Sequence, residues 1–335
     1  MKDIRDHARA QLKGFCKVCK RCDGRACTGE VPGMGGIGTG HSFQANLKAL
    51  DAIQLHMRLI HDVVEPDIST SLLGFDLSIP VFAAPIGGIK FNMGGKISED
   101  EYVESKLKGC ITGGIIGSTG DGVPPFIIDA SINGLQACGG QGIPFIKPWE
   151  SDDLQTKLDR AAKCGCRVAG MDIDAAGLVT LAQMGKPVSP KSPAQLKDII
   201  DGWDGDFIVK GVMTVEDAEL AFEAGASAIV VSNHGGRVLD GMPGTATALP
   251  AIRKAVGSKT VLVDGGVRNG VDILKMIAIG ADAVMIGRPF SVAVMGGGEE
   301  GVVKYIDTLK TELKSAMVLT GCKSISEVSD SILVK

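Results

Sequence analysis

The chain has 335 residues, 44% hydrophobic content and a formal net charge of −4 from 35 basic and 39 acidic residues. Length and apolar content allow one large domain or two medium ones. The interspersed charge excludes a nucleic-acid or membrane-surface footprint, and an aromatic content of 4% excludes a stacking platform for single strands.

The opening stretch, MKDIRDHARAQLKGF, has no apolar signal core, and no later run approaches the ~18 apolar residues of a membrane span. A soluble, cytoplasmic protein is expected. Directly after it comes CKVCKRCDGRAC, which gathers Cys16, Cys19, Cys22 and Cys27 out of nine cysteines in all. Without a secretory signal, such clustering points to metal or redox chemistry rather than to a disulfide framework. The C-x2-C-x2-C part resembles the opening of an iron–sulfur run, although the last spacing is unusual and no Cys-Pro follows. Four thiolates also suit tetrahedral zinc. A redox-active dithiol and no special role are the remaining readings. Cys110, Cys138, Cys164, Cys166 and Cys322 are scattered and read as reduced, mostly buried thiols. A Gly-rich loop, VPGMGGIGTGHS, follows the cluster, and a helix is predicted from about Phe43 to Ile60. Residues 1–78 are expected to form an extension packed on the main domain, residues 79–335.

From residue 79 onward, short apolar segments alternate with helical patterns. The segments are 79–85, 113–119, 144–149, 167–174, 206–212, 227–235, 259–266 and 282–289. Continuous apolar runs of this length suit parallel strands buried on both faces. Between them, VEDAELAFEAG and NGVDILKMIAIG carry helical periodicity. So does the later stretch that aligns Val302, Ile306, Leu309, Leu313 and Met317. Eight such units joined by right-handed crossovers predict an α/β fold, the (β/α)8 barrel, with an N-terminal cysteine-containing extension. A doubly wound open sheet is the alternative, disfavoured by the count of eight units.

In such a barrel the chemistry sits at the C-terminal ends of the strands. Asp172 and Asp174 end the fourth segment and Lys210 the fifth. Ser232, His234 and Arg237 end the sixth. Asp264, Gly265, Gly266 and Arg268 end the seventh, and Gly287 and Arg288 the eighth. A lone histidine on an apolar strand is usually structural, but one ringed by Asp, Lys and Arg reads as functional. DGGVR and IGRP add glycine backbone and arginine side chains, which suit a phosphate.

The stretches SNHGGRVLDG, VLVDGGVRNGVDILKMIAIGADAVMIGRP and FIVKGVMTVEDAELAFEAGASAIVVSN resemble the FMN-dependent 2-hydroxy-acid oxidase/dehydrogenase family, which includes glycolate and lactate oxidases. The resemblance is strongest from about Asp206 to Pro289, continues in order back to IPVFAAPIGG, and leaves out the cysteine cluster. It implies a (β/α)8 barrel and FMN as cofactor. It further implies oxidation of a 2-hydroxy acid such as lactate or glycolate to the 2-oxo acid. His234 would be the base that takes the substrate proton, Asp174 its charge partner and Arg237 the carboxylate ligand. Lys210 would stabilise reduced flavin at its N1/O2 edge. Asp264, Gly265, Gly266, Arg268, Gly287 and Arg288 would hold the ribityl chain and phosphate. Ala84, Pro85 and Ile86 would pass near flavin N5, with Ser232 and Ser118 or Thr119 beside the ring.

The chain also departs from that pattern. Ile146 and Pro148 stand near places where the family has Gln and Tyr. Asp172 replaces a usual Thr, where it could accept from flavin N3. DAAGLVTLAQ lacks the second substrate arginine. Lys147 is a candidate replacement cation, against the reading of a surface lysine at a strand edge. The alternatives to an oxidoreductase are a flavin-dependent isomerase of the type 2 isopentenyl-diphosphate kind and an electron-relay flavoprotein. The partners expected are a small hydroxy-acid substrate, an electron-acceptor protein and further copies of the chain in a homo-oligomer.

Overall fold

The computed structural model describes residues 1–150, 152–178, 181 and 184–334. Helix α1 (Lys2–Gln11) and helix α2 (His41–Ala52) frame the cysteine stretch and the Gly-rich loop. Helix α2 stops short of the expected Ile60. Past it the chain is tied in extended form to the C-terminal tail, with Leu55 bridged to Leu333 and the His56 N–H donating to the Ile332 carbonyl at 2.8 Å. A tail hundreds of residues away ends this helix, which local periodicity could not register.

A hairpin that the sequence reading did not foresee, β1 (Thr70–Leu72) and β2 (Phe75–Leu77), precedes the barrel. Its Leu77, with Leu72, Leu73 and Phe75, packs on the residues inside the barrel and closes its N-terminal end. The eight barrel strands are β3 (Val81–Ile86), β4 (Ile116–Thr119), β5 (Ile143–Ile146), β6 (Val168–Asp172), β7 (Asp206–Val212), β8 (Ala228–Val231), β9 (Thr260–Val263) and β10 (Ala283–Ile286). Neighbours pair in parallel around a closed ring in chain order, with β10 returning to β3. Each expected segment coincides with one strand, although β3 runs one residue past its segment to Ile86 and β5 begins one residue before its segment at Ile143.

Period-two alternation sorts the strand residues. Phe82, Ala84, Phe145, Ile208, Val230, Leu262 and Met285 fill the interior. Val81, Ala83, Val209, Ile229, Val263 and Val284 face the surrounding helices. Those helices are α3 (Ile89–Met93), α4 (Glu99–Thr112), α5 (Pro125–Ala137), α6 (Asp153–Ala162), α7 (Pro193–Asp201), α8 (Val215–Glu223), α9 (Thr245–Val256), α10 (Gly270–Ala278) and α11 (Arg288–Thr320).

Several helix starts follow from capping chemistry. Ser98, Thr214 and Asn269 each accept from the N–H three residues on, and Ser192 with Gln195 forms a capping box. The Glu99 carboxylate accepts from Gly88 N–H at 2.7 Å and Ile89 N–H at 2.8 Å. This pins the loop after β3 that walls the site.

Candidate active site

The C-terminal ends of the strands open into a cavity of about 320 Å³, within the ~300–1,000 Å³ range of small-molecule and cofactor sites. At its base Lys210 of β7, 3% exposed, holds its Nζ 2.9 Å from Asp172 Oδ1 of β6 and 3.8 Å from Asp264 Oδ2 after β9. Burial works against the ammonium, but the Asp172, Asp174 and Asp264 carboxylates outweigh it and hold its pKa above the ordinary lysine value. Burial also opposes ionisation of Asp172. There Lys210, followed by His234 and Lys147, prevails, and the carboxyl lies below its usual range. At Asp264 burial prevails over Lys210 and the Ser232 hydroxyl, and its pKa rises.

His234 follows β8 with φ 55°, a left-handed conformation that costs a non-glycine residue about 1–3 kcal/mol. Two hydrogen bonds hold it there. Its N–H donates to Ser232 Oγ at 3.0 Å, and the Ser232 hydroxyl donates to Asp264 Oδ2 at 2.8 Å. The ring is oriented in turn by Asp174, in the 3-10 turn Ile173–Gly177, whose Oδ1 lies 3.0 Å from His234 Nδ1. A carboxylate only accepts, so Nδ1 is the nitrogen that donates to Asp174. Gly211 of β7 makes room for Asp174, because a Cβ there would lie 2.6 Å from the aspartate side chain. Asp172, Asp174 and His234 bring three ligand atoms within 4.8 Å of one another, but Lys210 already supplies a cation to that cluster.

Two arginines stand across the cavity. Arg237 Nη1 donates to the carbonyls of Gly33 at 2.7 Å and Gly35 at 3.0 Å, and Nη2 to Asn92 Oδ1 at 2.9 Å. Arg288 donates to the carbonyls of Met34 at 2.7 Å, Gly35 at 3.0 Å and Gly235 at 3.1 Å, and its guanidinium lies 3.9 Å from the Phe43 ring centroid. The Gly-rich loop thus solvates both cations with its own carbonyl dipoles. Burial lowers Arg237 to about 10, and burial with repulsion from Arg237 and Arg268 lowers Arg288 to about 9. Both mark positive charge without an adjacent carboxylate, suited to an anion.

FMN fits these residues. Gly265 and Gly266, at φ 93° and 92°, present bare backbone to the cavity. A Cβ on Gly265 would come within 2.6 Å of Thr245 Oγ1, and one on Gly266 within 2.9 Å of Leu50. Asp264 Oδ1 and Arg268 Nε are buried at this wall without a hydrogen-bond partner in the protein. A polar ring edge and a phosphate would supply what they lack. Ala84, Pro85, Ile86, Gly287 and Arg288 complete that side, whereas Ser118 and Ser232 stand behind the wall.

The opposite side centres on a residue that sequence reasoning missed. Asp121, just past β4, is buried. Its carboxylate lies 3.2 Å from Lys147 Nζ, 2.9 Å from Lys157 Nζ and 2.5 Å from Trp149 Nε1. The strand-end rule that singled out Asp172 and Asp264 could have found it. Lys147 is 13% exposed and lines the cavity, so it is no surface lysine. Asn46 and Asn233 were also missed. Their amides exchange hydrogen bonds at 2.8 and 3.0 Å and lock the turn carrying His234 to α2.

Comparison with known proteins matches residues 33–100 and 179–335 to the family model described as FMN-dependent dehydrogenase. The L-lactate dehydrogenase of Ectopseudomonas mendocina (strain ymp) is 31% identical, over 90% of this chain and 93% of that protein. That of Acinetobacter baylyi is 48% identical over 42% of this chain and 37% of its own length. A solved mandelate oxidase with (S)-2-phenylpropionate superposes with a TM-score of 0.78 at 28% identity, covering 98% of this chain and 96% of that one. A mandelate oxidase variant with a C4a-OH-FMN adduct superposes at 0.77 and 28% identity, covering 97% of each chain.

Proposed function

The chain belongs to the FMN-dependent dehydrogenase family, and from that premise we propose that it oxidises a small 2-hydroxy acid, of lactate or glycolate size, to the 2-oxo acid. The observation that carries this reading is the His234–Asp174 pair at 3.0 Å, whose histidine lines the same cavity as Arg237 and Lys147. Bound FMN supplies the two-electron acceptor. The protein supplies a base, a charge partner and cations for the carboxylate.

His234 Nε2 is the proton acceptor for the substrate. When it takes the proton, the Asp174 carboxylate already faces the new imidazolium, so charge forms where an opposite charge is fixed. Arg237 has three of its five N–H donors engaged by Gly33, Gly35 and Asn92. Two are left for a carboxylate. Lys147 fits the place of the second carboxylate cation. Lys210 would hold the pyrimidine edge of the flavin, and its raised pKa keeps it a cation there. Arg268 and Arg288 would hold the phosphate.

The isomerase alternative has no counterpart among the relatives reported above, which are lactate dehydrogenases and mandelate oxidases. None of the described helices is long and apolar enough to cross a membrane, and the nine cysteines carry no disulfide. Both fit the cytoplasmic placement that we propose.

The test is anaerobic mixing of the purified yellow protein with a panel of 2-hydroxy acids while flavin absorbance is followed. One or more should bleach it, with the 2-oxo acid formed in equal amount. If dithionite bleaches the flavin and no hydroxy acid does, the reading is wrong.

A further inference from the structure

The cysteine stretch is not absorbed by the function above. It lies before residue 33, where the family match begins, so nothing in that match accounts for it. All four cysteines, Cys16, Cys19, Cys22 and Cys27, line a second cavity of about 110 Å³. That is several times the ~10–15 Å³ that one water-sized occupant needs.

The loop that presents them is built, not loose. Arg5 of α1 donates to the Cys19 carbonyl. Arg9 Nη2 donates to the Val18 carbonyl at 3.1 Å, and Lys17 Nζ to the Ala26 carbonyl at 2.6 Å. Val18 is held at φ 43°, a left-handed turn that a β-branched residue rarely adopts. Two donors already point at sulfur. The Val18 N–H lies 3.4 Å from Cys16 Sγ, and Arg268 Nη2 lies 3.6 Å from Cys22 Sγ. Hydrogen bonds to thiolate sulfur are among the groups that tune iron–sulfur centres. The wall also holds Arg5, Lys17, Arg268 and Arg288 against Asp23. This positive surround suits a negatively charged thiolate complex.

Spacing of the sulfurs separates the possible occupants. One tetrahedral zinc with Zn–S bonds of ~2.3 Å draws its four sulfurs to within about 4 Å of each other. Among the described residues, the cysteines form no group of three whose ligand atoms lie within 4.8 Å of one another. The four cysteines instead border one cavity. A cubane cluster needs that arrangement, because each thiolate binds a different iron. C-x2-C-x2-C is also the spacing of such sites.

We propose that Cys16, Cys19, Cys22 and Cys27 bind a [4Fe–4S] cluster in this cavity, beside the phosphate end of the flavin site. The two cavities share Met34, Arg268 and Arg288 in their walls, so one layer of side chains separates the two centres. This inference does not depend on the substrate proposed above.

The experiment is anaerobic purification, or reconstitution with ferrous iron and sulfide under reducing conditions, followed by metal, sulfide, flavin and low-temperature EPR measurements. The whole chain should bind about four irons and four sulfides and give a reduced-cluster EPR signal with dithionite. Cys19→Ser and Cys22→Ser should each lose the iron, the sulfide and the signal while the flavin spectrum persists. Cys138→Ser, at a thiol outside both cavities, should keep all of them and so controls for adventitious iron. One zinc per chain in place of iron overturns the proposal. So does a reconstituted protein without iron whose four thiols titrate freely or cycle as a disulfide.

Discussion

The two sides of the large cavity differ in how they handle charge. On the β7–β10 side, Lys210, Ser232, His234 and Asp264 form one connected network within the family match of residues 179–335. On the β4–β5 side, one buried carboxylate, Asp121, gathers Lys147, Lys157 and Trp149. That network falls in residues 101–178, which the match skips. The first side presents groups suited to a flavin and a proton acceptor, which any substrate of this chemistry requires. The second bounds the space left for the substrate. The difference teaches that, on the function proposed above, most of the groups for cofactor and base lie where the family model matches, whereas Lys147, the proposed second cation for the substrate, lies where it does not.

The comparison can be broken most sharply at the base. His234→Ala should slow anaerobic single-turnover flavin reduction by ~10²–10⁴-fold while flavin stays bound. A rate within a few-fold of wild type would remove the base from the first side and make His234 structural.

On the second side, Asp121→Asn leaves two lysines without their carboxylate. Breaking a buried pair costs about 3–5 kcal/mol, which should appear as a lower denaturant midpoint with an unchanged slope. Stability within 1 kcal/mol of wild type, roughly the worth of an exposed pair, would show that the network is not a structural unit. A milder change, Lys147→Met, should raise KM for the hydroxy acid about tenfold with kcat little altered, the signature of lost uniform binding. An unchanged KM would assign Lys147 to Asp121 alone.

The smallest expected effect lies on the first side, where Asp240 ties the Gly-rich loop to the turn after β8. Its carboxylate accepts from the Thr39 hydroxyl at 2.7 Å and N–H at 2.6 Å, and from the His41 N–H at 3.0 Å. The Thr39 hydroxyl foremost, then the N–H groups of Thr39, Gly241 and Ser42, lower its pKa from 3.8 to about 2. A carboxyl depressed in the folded state contributes stability above its unfolded pKa and loses it as pH falls through the folded one. Asp240→Asn should therefore reduce stability slightly near neutrality and narrow its gap to wild type between about pH 4 and pH 2. A gap that stays constant over that window would show that the carboxylate charge is not what the loop uses.

Much of this molecule was legible locally. Eight buried strands announce themselves as continuous apolar runs, because both faces of each are covered. The strand-end position of His234, Asp174, Lys210 and the three arginines followed from the barrel rule alone. What stayed hidden depends on residues distant in the chain. Helix α2 ends at Ala52 because the tail near Leu333 claims the next residues. The Gly-rich loop has its use only where its carbonyls meet Arg237 and Arg288, more than two hundred residues away. Asp121 and Lys147 become partners through the side-by-side pairing of β4 and β5. The cysteine spacing advertises a ligand set, but whether four sulfurs close on one ion or surround a cavity is a matter of distances. Those distances are set by how α1 and the barrel hold the loop. Periodicity reports what a residue does relative to its neighbours in sequence. Side-chain partners, burial and charge compensation are decided by packing between elements, and only the folded chain contains that information.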